Sequence, residues 1–185
     1  MELLPTKLPG VLLILPKVFG DARGFFTETY NVERYREAGI RAPFVQDNLS
    51  RSRKGTLRGL HLQHPHAQGK LVWVAAGAVL DVAVDVRIGS PTFGKYVAEE
   101  LSSENHRQLW VPPGFAHGFQ VLSDDALFAY KCTDLYHPEH ELGVRYDDPE
   151  IGIPWPLGES IVSPKDLALP RLSEIDRARL PRFRA

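Results

Sequence analysis

At 185 residues the chain is long enough to bury the core of one domain and too short for several. Its 22 basic and 23 acidic residues nearly cancel, so it lacks the broad basic surface of a nonspecific nucleic-acid binder, and its arginines must act locally. The single cysteine, Cys132, excludes an intramolecular disulfide and any multi-cysteine metal site, in keeping with a reducing compartment. The apolar run at residues 11–15 is bracketed by Pro5, Pro9 and Pro16. It is too short for a membrane span and lacks the layout of a signal peptide, so a cytoplasmic protein with no membrane partner is expected.

Residues 11–18 read as an edge strand ended by a turn at 19–24, and residues 25–30 as a second strand carrying Glu28. Asn31 can cap a short helix running to about Glu37, with Gly39 as its stop. Beyond it Gly, Pro, Ser and Asp recur at short intervals, which predicts antiparallel β structure. Leu57, Leu60 and Leu62 mark one strand, and residues 79–87 form the clearest one. There Leu80, Val82, Val84 and Val86 share one face, while Asp81, Ala83, Asp85 and Arg87 share the other. Further strands are expected at 96–101 and 108–111, followed by the tight turn Pro112-Pro113-Gly114. Residues 117–122 and 127–133 read as a hairpin around Ser123, Asp124 and Asp125. The tail from Tyr136 is loop-rich, and Ser173 can cap a final helix over 174–180. Short strands in this number, with few helices, predict an all-β sandwich or barrel, for which a closed jelly roll with short peripheral helices is a common solution to the edge problem.

Residues 44–70 hold the densest group of chemistry-bearing side chains: Gln46, Asp47, Asn48, Arg58, His61, Gln63 and Lys70. A basic residue beside a core must be paired, and an anionic ligand would satisfy Arg58. His61, with Arg58, Gln63 and Lys70 within ten residues, suits a general base better than a solitary strand histidine would. A carboxylate must orient its ring, and Asp81, Asp85 and Asp166 are all candidates. Arg58 and His61 stand three apart and so point to opposite faces of a regular strand; meeting one ligand requires a bulge, expected at Gly59. Residues 112–117 match the second metal motif of the cupins, P-x-G-x-x-H, and deliver His117 to the barrel mouth. No complete ligand set accompanies it, since His64 and His66 straddle Pro65 in a turn without a following glutamate; no metal is expected. Tyr130 falls near the candidate pocket, Arg51, Arg53 and Lys54 form a solvated run, and His106, His137 and His140 carry no signal beyond exposure.

In order along the chain stand FVQDN-x-S-x-S, G-x-LRGLH-x-Q, AQGKL, DVAVD-x-R, SPTFG, PPGFAHGF and YK-x-T-D-x-Y-x-P-x-x-E. This series resembles the dTDP-4-dehydrorhamnose 3,5-epimerase family, from about Phe19 to Asp166. The resemblance implies a cupin-type jelly-roll barrel that needs no metal or other cofactor, usually as a homodimer with exchanged N-terminal strands. It also implies roles: His61 as proton acceptor, Asp166 as its partner, Tyr130 as proton donor on the opposite face, and Lys70 and Arg58 at the sugar. His117 and Tyr136 would line the pocket, while Arg23, Glu28, Gln46, Asp47, Asn48, Glu141 and Lys165 match positions that bind the nucleotide sugar. Leu62, Trp73 and Leu135 depart from the residues usual at their positions.

The activity implied is inversion at C3 and C5 of dTDP-4-dehydro-6-deoxy-D-glucose through an enolate. The competing readings are a single-centre epimerase or 3,4-ketoisomerase on a related dTDP-sugar, a metal-dependent cupin oxygenase, and a noncatalytic sugar-nucleotide sensor.

Overall fold

A computed structural model describes residues 1–184. The chain opens with β1 (Glu2–Pro5), β2 (Leu12–Leu15), the hairpin of β3 (Val18–Asp21) and β4 (Gly24–Thr27), and α1 (Val32–Glu37). Eight strands follow: β5 (Gln46–Arg53), β6 (Thr56–Gln63), β7 (Lys70–Ala76), β8 (Ala78–Asp85), β9 (Tyr96–Ser102), β10 (Gln108–Val111), β11 (Phe115–Val121) and β12 (Asp125–Cys132), all but β10 longer than those before. The tail adds β13 (Glu141–Gly143), β14 (Ile161–Val162) and α2 (Pro164–Leu167).

One sheet runs β1-β2-β10-β7-β12-β5; the other runs β13-β6-β11-β8-β9, with β14 lying parallel to β6. From β5 to β13 the chain changes sheet at every step except β8–β9, which gives the expected jelly roll. Between them lies one core, drawn from Val72, Leu109 and Phe128 on one side and Val79, Ala83 and Phe119 on the other. Phe119 and Phe128 stack across it at 4.0 Å. The alternation read in β8 holds, but both faces are buried: Val82, Val84 and Val86 pack outward against Ile151, Leu172, Ile175 and Leu180 of the tail. Val79 shares its parity with Asp81 and Ala83, and so belongs to the inner face.

Four expectations about elements are corrected. The strand expected over 11–18 is β2 alone, and it is no edge: Leu13 enters the inner core and Ile14 the cluster beneath α1, so the strand is covered on both faces and paired by β1 and β10. The turn expected at 19–24 is largely the β3–β4 hairpin itself. The hairpin expected from 117–122 and 127–133 does not exist as a pair, because β11 joins β6 and β8 while β12 joins β5 and β7. The polar turn carries the chain from one sheet to the facing one, and sequence patterning cannot distinguish that from a hairpin. The terminal helix is instead two single 3₁₀ turns, Leu172–Glu174 and Arg177–Arg179, separated by an extended Ile175. The Asp176 carboxylate accepts from Ala178 N and starts the second turn afresh, the competition with helix propagation typical of aspartate.

α1 forms as read: Asn31 accepts from Glu33 N and Arg34 N, and Gly39 follows with φ +88°. The short α2 was not foreseen. Its start is written in Ser163-Pro164: the Ser163 hydroxyl accepts from Asp166 N and proline occupies the first turn. Among the described residues no helix is long and apolar enough to cross a membrane.

Candidate active site

β6 is where the site is made. His117 pairs with His61 and Phe119 with Arg58, so three steps along β6 oppose two along β11, and β6 carries one extra residue. This bulge contains Gly59, at φ +114°, as its spacing required. A Cβ on Gly59 would stand 2.6 Å from the His117 carbonyl oxygen, so the close approach of the two strands admits only glycine. The bulge turns Arg58 and His61 toward the same cavity. Arg58 is exposed there, and its Nε donates to Ser52 Oγ at 3.0 Å. It lies on a packed sheet as expected, but its exposure removes the need for an anionic ligand to satisfy it.

The three candidate carboxylates separate cleanly. Asp166, the buried residue of α2, accepts from His61 Nε2 at 2.7 Å and from Gly59 N at 3.3 Å. Asp81 holds His117 Nε2, with both oxygens at 3.0 Å. Asp85 is taken by Arg87, Ser90 and Thr92. Burial pushes the Asp166 carboxyl up, but the His61 ring and the Gly59 amide outweigh it and leave the group below the usual carboxylate range.

Two connected recesses meet at these side chains. The larger, about 520 Å³, is lined by Arg58, His117, Lys165 and Asp166 among others, and the smaller, about 270 Å³, by Gln46, Asn48, Tyr136 and Glu141. His61, Lys70 and Tyr130 line both. His61 comes from one sheet, Lys70 and Tyr130 from the other, so an imidazole and a phenol enter the cavity from opposite walls.

Lys70 Nζ makes no hydrogen bond or ion pair with a described residue, and burial pushes its ammonium below the ordinary lysine range despite attraction from Asp81 and Glu141. A half-buried cation without a partner is a ready stabiliser of negative charge on a ligand. Burial raises the Tyr130 phenol, while Arg58 acts the other way, so Tyr130 stays protonated and able to donate. At the rim, Glu141 accepts from Tyr136 Oη at 2.8 Å and from Lys165 Nζ, and the Gln46 amide oxygen accepts from Tyr136 N at 2.9 Å.

Three expected site residues stand elsewhere. Asp47 is on the outward face of β5, paired with Lys131 Nζ at 2.9 Å. Arg23 is paired with Asp21 on the β3–β4 hairpin, and Glu28 with Arg34 of α1; neither lines the cavity of its own chain. Gln63 is buried and joins loops: it donates to His66 O and Leu135 O and accepts from His137 N. Ser52, which positions Arg58, was missed, and only its parity with Ser50 and Asn48 on β5 hinted at it.

A jelly-roll barrel holding a carboxylate-backed imidazole, a free ammonium and a phenol on opposing walls defines an acid–base enzyme of the cupin type. Residues 5–174 match the family model described as dTDP-4-dehydrorhamnose 3,5-epimerase. The enzyme of that name from Pseudomonas aeruginosa is 56% identical over 178 residues, covering 96% of this chain and 93% of its own. The crystal structure of dTDP-6-deoxy-D-glucose-3,5-epimerase from Legionella pneumophila, in complex with dTDP-4-keto-L-rhamnose, superposes with a TM-score of 0.97 at 56% identity, covering 100% of this chain and 99% of that one. The dTDP-4-dehydrorhamnose 3-epimerase of Streptomyces niveus is 39% identical over 99% of this chain and 90% of its own. The chain belongs to the dTDP-4-dehydrorhamnose 3,5-epimerase family.

Asp166→Asn tests the pair behind His61. A carboxyl held below its unfolded value stabilises the fold above the unfolded pKa, and that contribution is lost as pH falls through the folded one. At neutral pH the variant should lose about 1–3 kcal/mol of stability, and its unfolding free energy should fall less steeply than the wild type's below about pH 4. Denaturant titration across pH checks this; parallel curves would show that Asp166 is not held by His61.

Proposed function

We propose that the protein inverts C3 and C5 of dTDP-4-dehydro-6-deoxy-D-glucose, giving dTDP-4-dehydro-L-rhamnose. The observation that carries this is the placement of His61 and Tyr130 on opposing sheets around one cavity, with Lys70 lining the same space. The C4 ketone acidifies the hydrogens at C3 and C5, and loss of either leaves an enolate whose charge rests on the ketone oxygen. His61 takes the proton through the ring nitrogen that Asp166 leaves free, and Asp166 stabilises the imidazolium that forms. Lys70 donates to the enolate oxygen, an interaction stronger in the transition state than in the ground state. Tyr130 returns a proton from the opposite wall, and the centre is inverted. Arg58 and Lys165 face the diphosphate in the larger recess, where a guanidinium can pair two phosphate oxygens.

Arg23 and Glu28 act in this reading across a homodimer, with the N-terminal strands exchanged. Support comes from the β3–β4 hairpin, where Phe19, Phe25 and Phe26 are 52%, 61% and 68% exposed, an apolar surface suited to a second copy. Light scattering should give the mass of two chains; a monomer that turns over substrate would remove Arg23 and Glu28 from the site.

A single-centre epimerase is the alternative, since the Streptomyces niveus 3-epimerase shares the fold family at 39% identity. Turnover of dTDP-4-keto-6-deoxyglucose in heavy water, followed by NMR, separates the two. Deuterium at both C3 and C5 of an inverted product is expected. Label at one carbon selects the single-centre reaction, and turnover without label excludes an enolate altogether.

A further inference from the structure

Outside the cavity, the loop between β6 and β7 and the segment 134–141 bring three histidines together. His66, His137 and His140 each offer a ring nitrogen, and these lie within 4.8 Å of one another. The His66 ring stacks on His137 at 4.3 Å and on His140 at 5.1 Å. None of the three lines the two recesses that hold His61. We propose that His66, His137 and His140 form a binding site for a divalent late transition-metal ion of the Zn²⁺ type, separate from the epimerase chemistry.

Four observations support it. His140 Nδ1 is buried and has no hydrogen-bond partner, a costly state for a polar atom unless a ligand completes it. His66 sits at φ +64° in the turn after Pro65, a left-handed conformation that fixes where its ring is presented. Carboxylates stand close but not bonded: Asp134 Oδ2 is 3.5 Å from His66 Nδ1, and Glu139 Oε1 is 3.5 and 3.7 Å from Nδ1 of His137 and His140. They are placed to supply a fourth ligand or to fix the imidazole orientation. Finally, both loops are held in advance. Gln63 ties His66 O, Leu135 O and His137 N together, and His64 N donates to His140 O.

The geometry is within reach of a real site. Zinc–nitrogen bonds of about 2.0–2.1 Å place tetrahedral ligand atoms about 3.4 Å apart, and because imidazole lone pairs lie in the ring plane, closing the set requires the stacked rings to swing apart by side-chain rotation. Imidazole is a preferred ligand for zinc, copper and nickel. The side chains of His66, His137 and His140 are 47%, 30% and 30% exposed, which leaves a path for the ion. The expectation that His137 and His140 mean only exposure is corrected here: both are half-buried and face each other at 5.8 Å. Because Tyr136 and Glu141 belong to the same segment, the bound ion would hold the rim of the smaller recess.

The test is equilibrium dialysis of chelator-treated, tag-free protein against Zn²⁺ alone, with zinc counted by atomic emission. About one ion per chain is expected in the wild type and in the control His106→Asn. His66→Asn, whose side chain tolerates the left-handed backbone, should bind roughly ten-fold or more weakly, and His137→Asn with His140→Asn should not bind. Circular dichroism of each variant confirms that it is folded. Substoichiometric uptake by the wild type, or uptake unchanged by His66→Asn, overturns the proposal.

Discussion

The 2.7 Å hydrogen bond between Asp166 and His61 joins residues 105 positions apart, and the site depends on it. One partner rides on a central strand, the other on a single helical turn of the tail. For the bond to form, β14 must pair with β6, Ser163 must cap α2, and β6 must bulge at Gly59 so that His61 turns into the barrel. Asp166 also accepts from Gly59 N, so one carboxylate holds both the imidazole and the bulge that presents it. Fold and chemistry meet in one buried side chain.

A sandwich with two inner walls lends itself to reactions that need groups on both sides of a substrate. Tyr130 pairs with Val72 and Asn48 in one sheet, and His61 with His117 in the other. The spacing between packed sheets, about 10 Å, is wide enough for a sugar ring between opposed side chains where the core gives way to a cavity. Phe119 stacked on Phe128 closes the floor of that opening. Lys70 lies in the wall of Tyr130 without a hydrogen-bond or ion-pair partner among the described residues. Its depressed ammonium and the raised Tyr130 phenol share one cause, burial in the same wall.

Much of this was legible in the residues. Alternation placed β8, and turn punctuation placed β9 to β12, within about two residues, whereas β5 and β7 were not read as strands. Gly59 was legible as a bulge because Arg58 and His61 could not otherwise share a ligand. What patterning could not show was partnership between strands: the turn at Ser123 looks the same whether it closes a hairpin or crosses to the facing sheet. It could not choose among Asp81, Asp85 and Asp166 either, since that choice depends on which loop folds back on which strand. His66, His137 and His140 were opaque for the same reason, because some seventy residues separate His66 from the other two and loop contacts through Gln63 and His64 bring them together.

The central claim is that His61 and Tyr130 act on opposite faces of one ring. Tyr130→Phe and His61→Asn, each held with substrate in heavy water, test it most directly. If the account is right, the phenylalanine variant keeps exchanging deuterium into recovered, uninverted substrate while making little product, because the base returns a solvent-derived proton from its own side. The asparagine variant then exchanges nothing. Inversion by Tyr130→Phe at the wild-type rate, or continued exchange by His61→Asn, would contradict it.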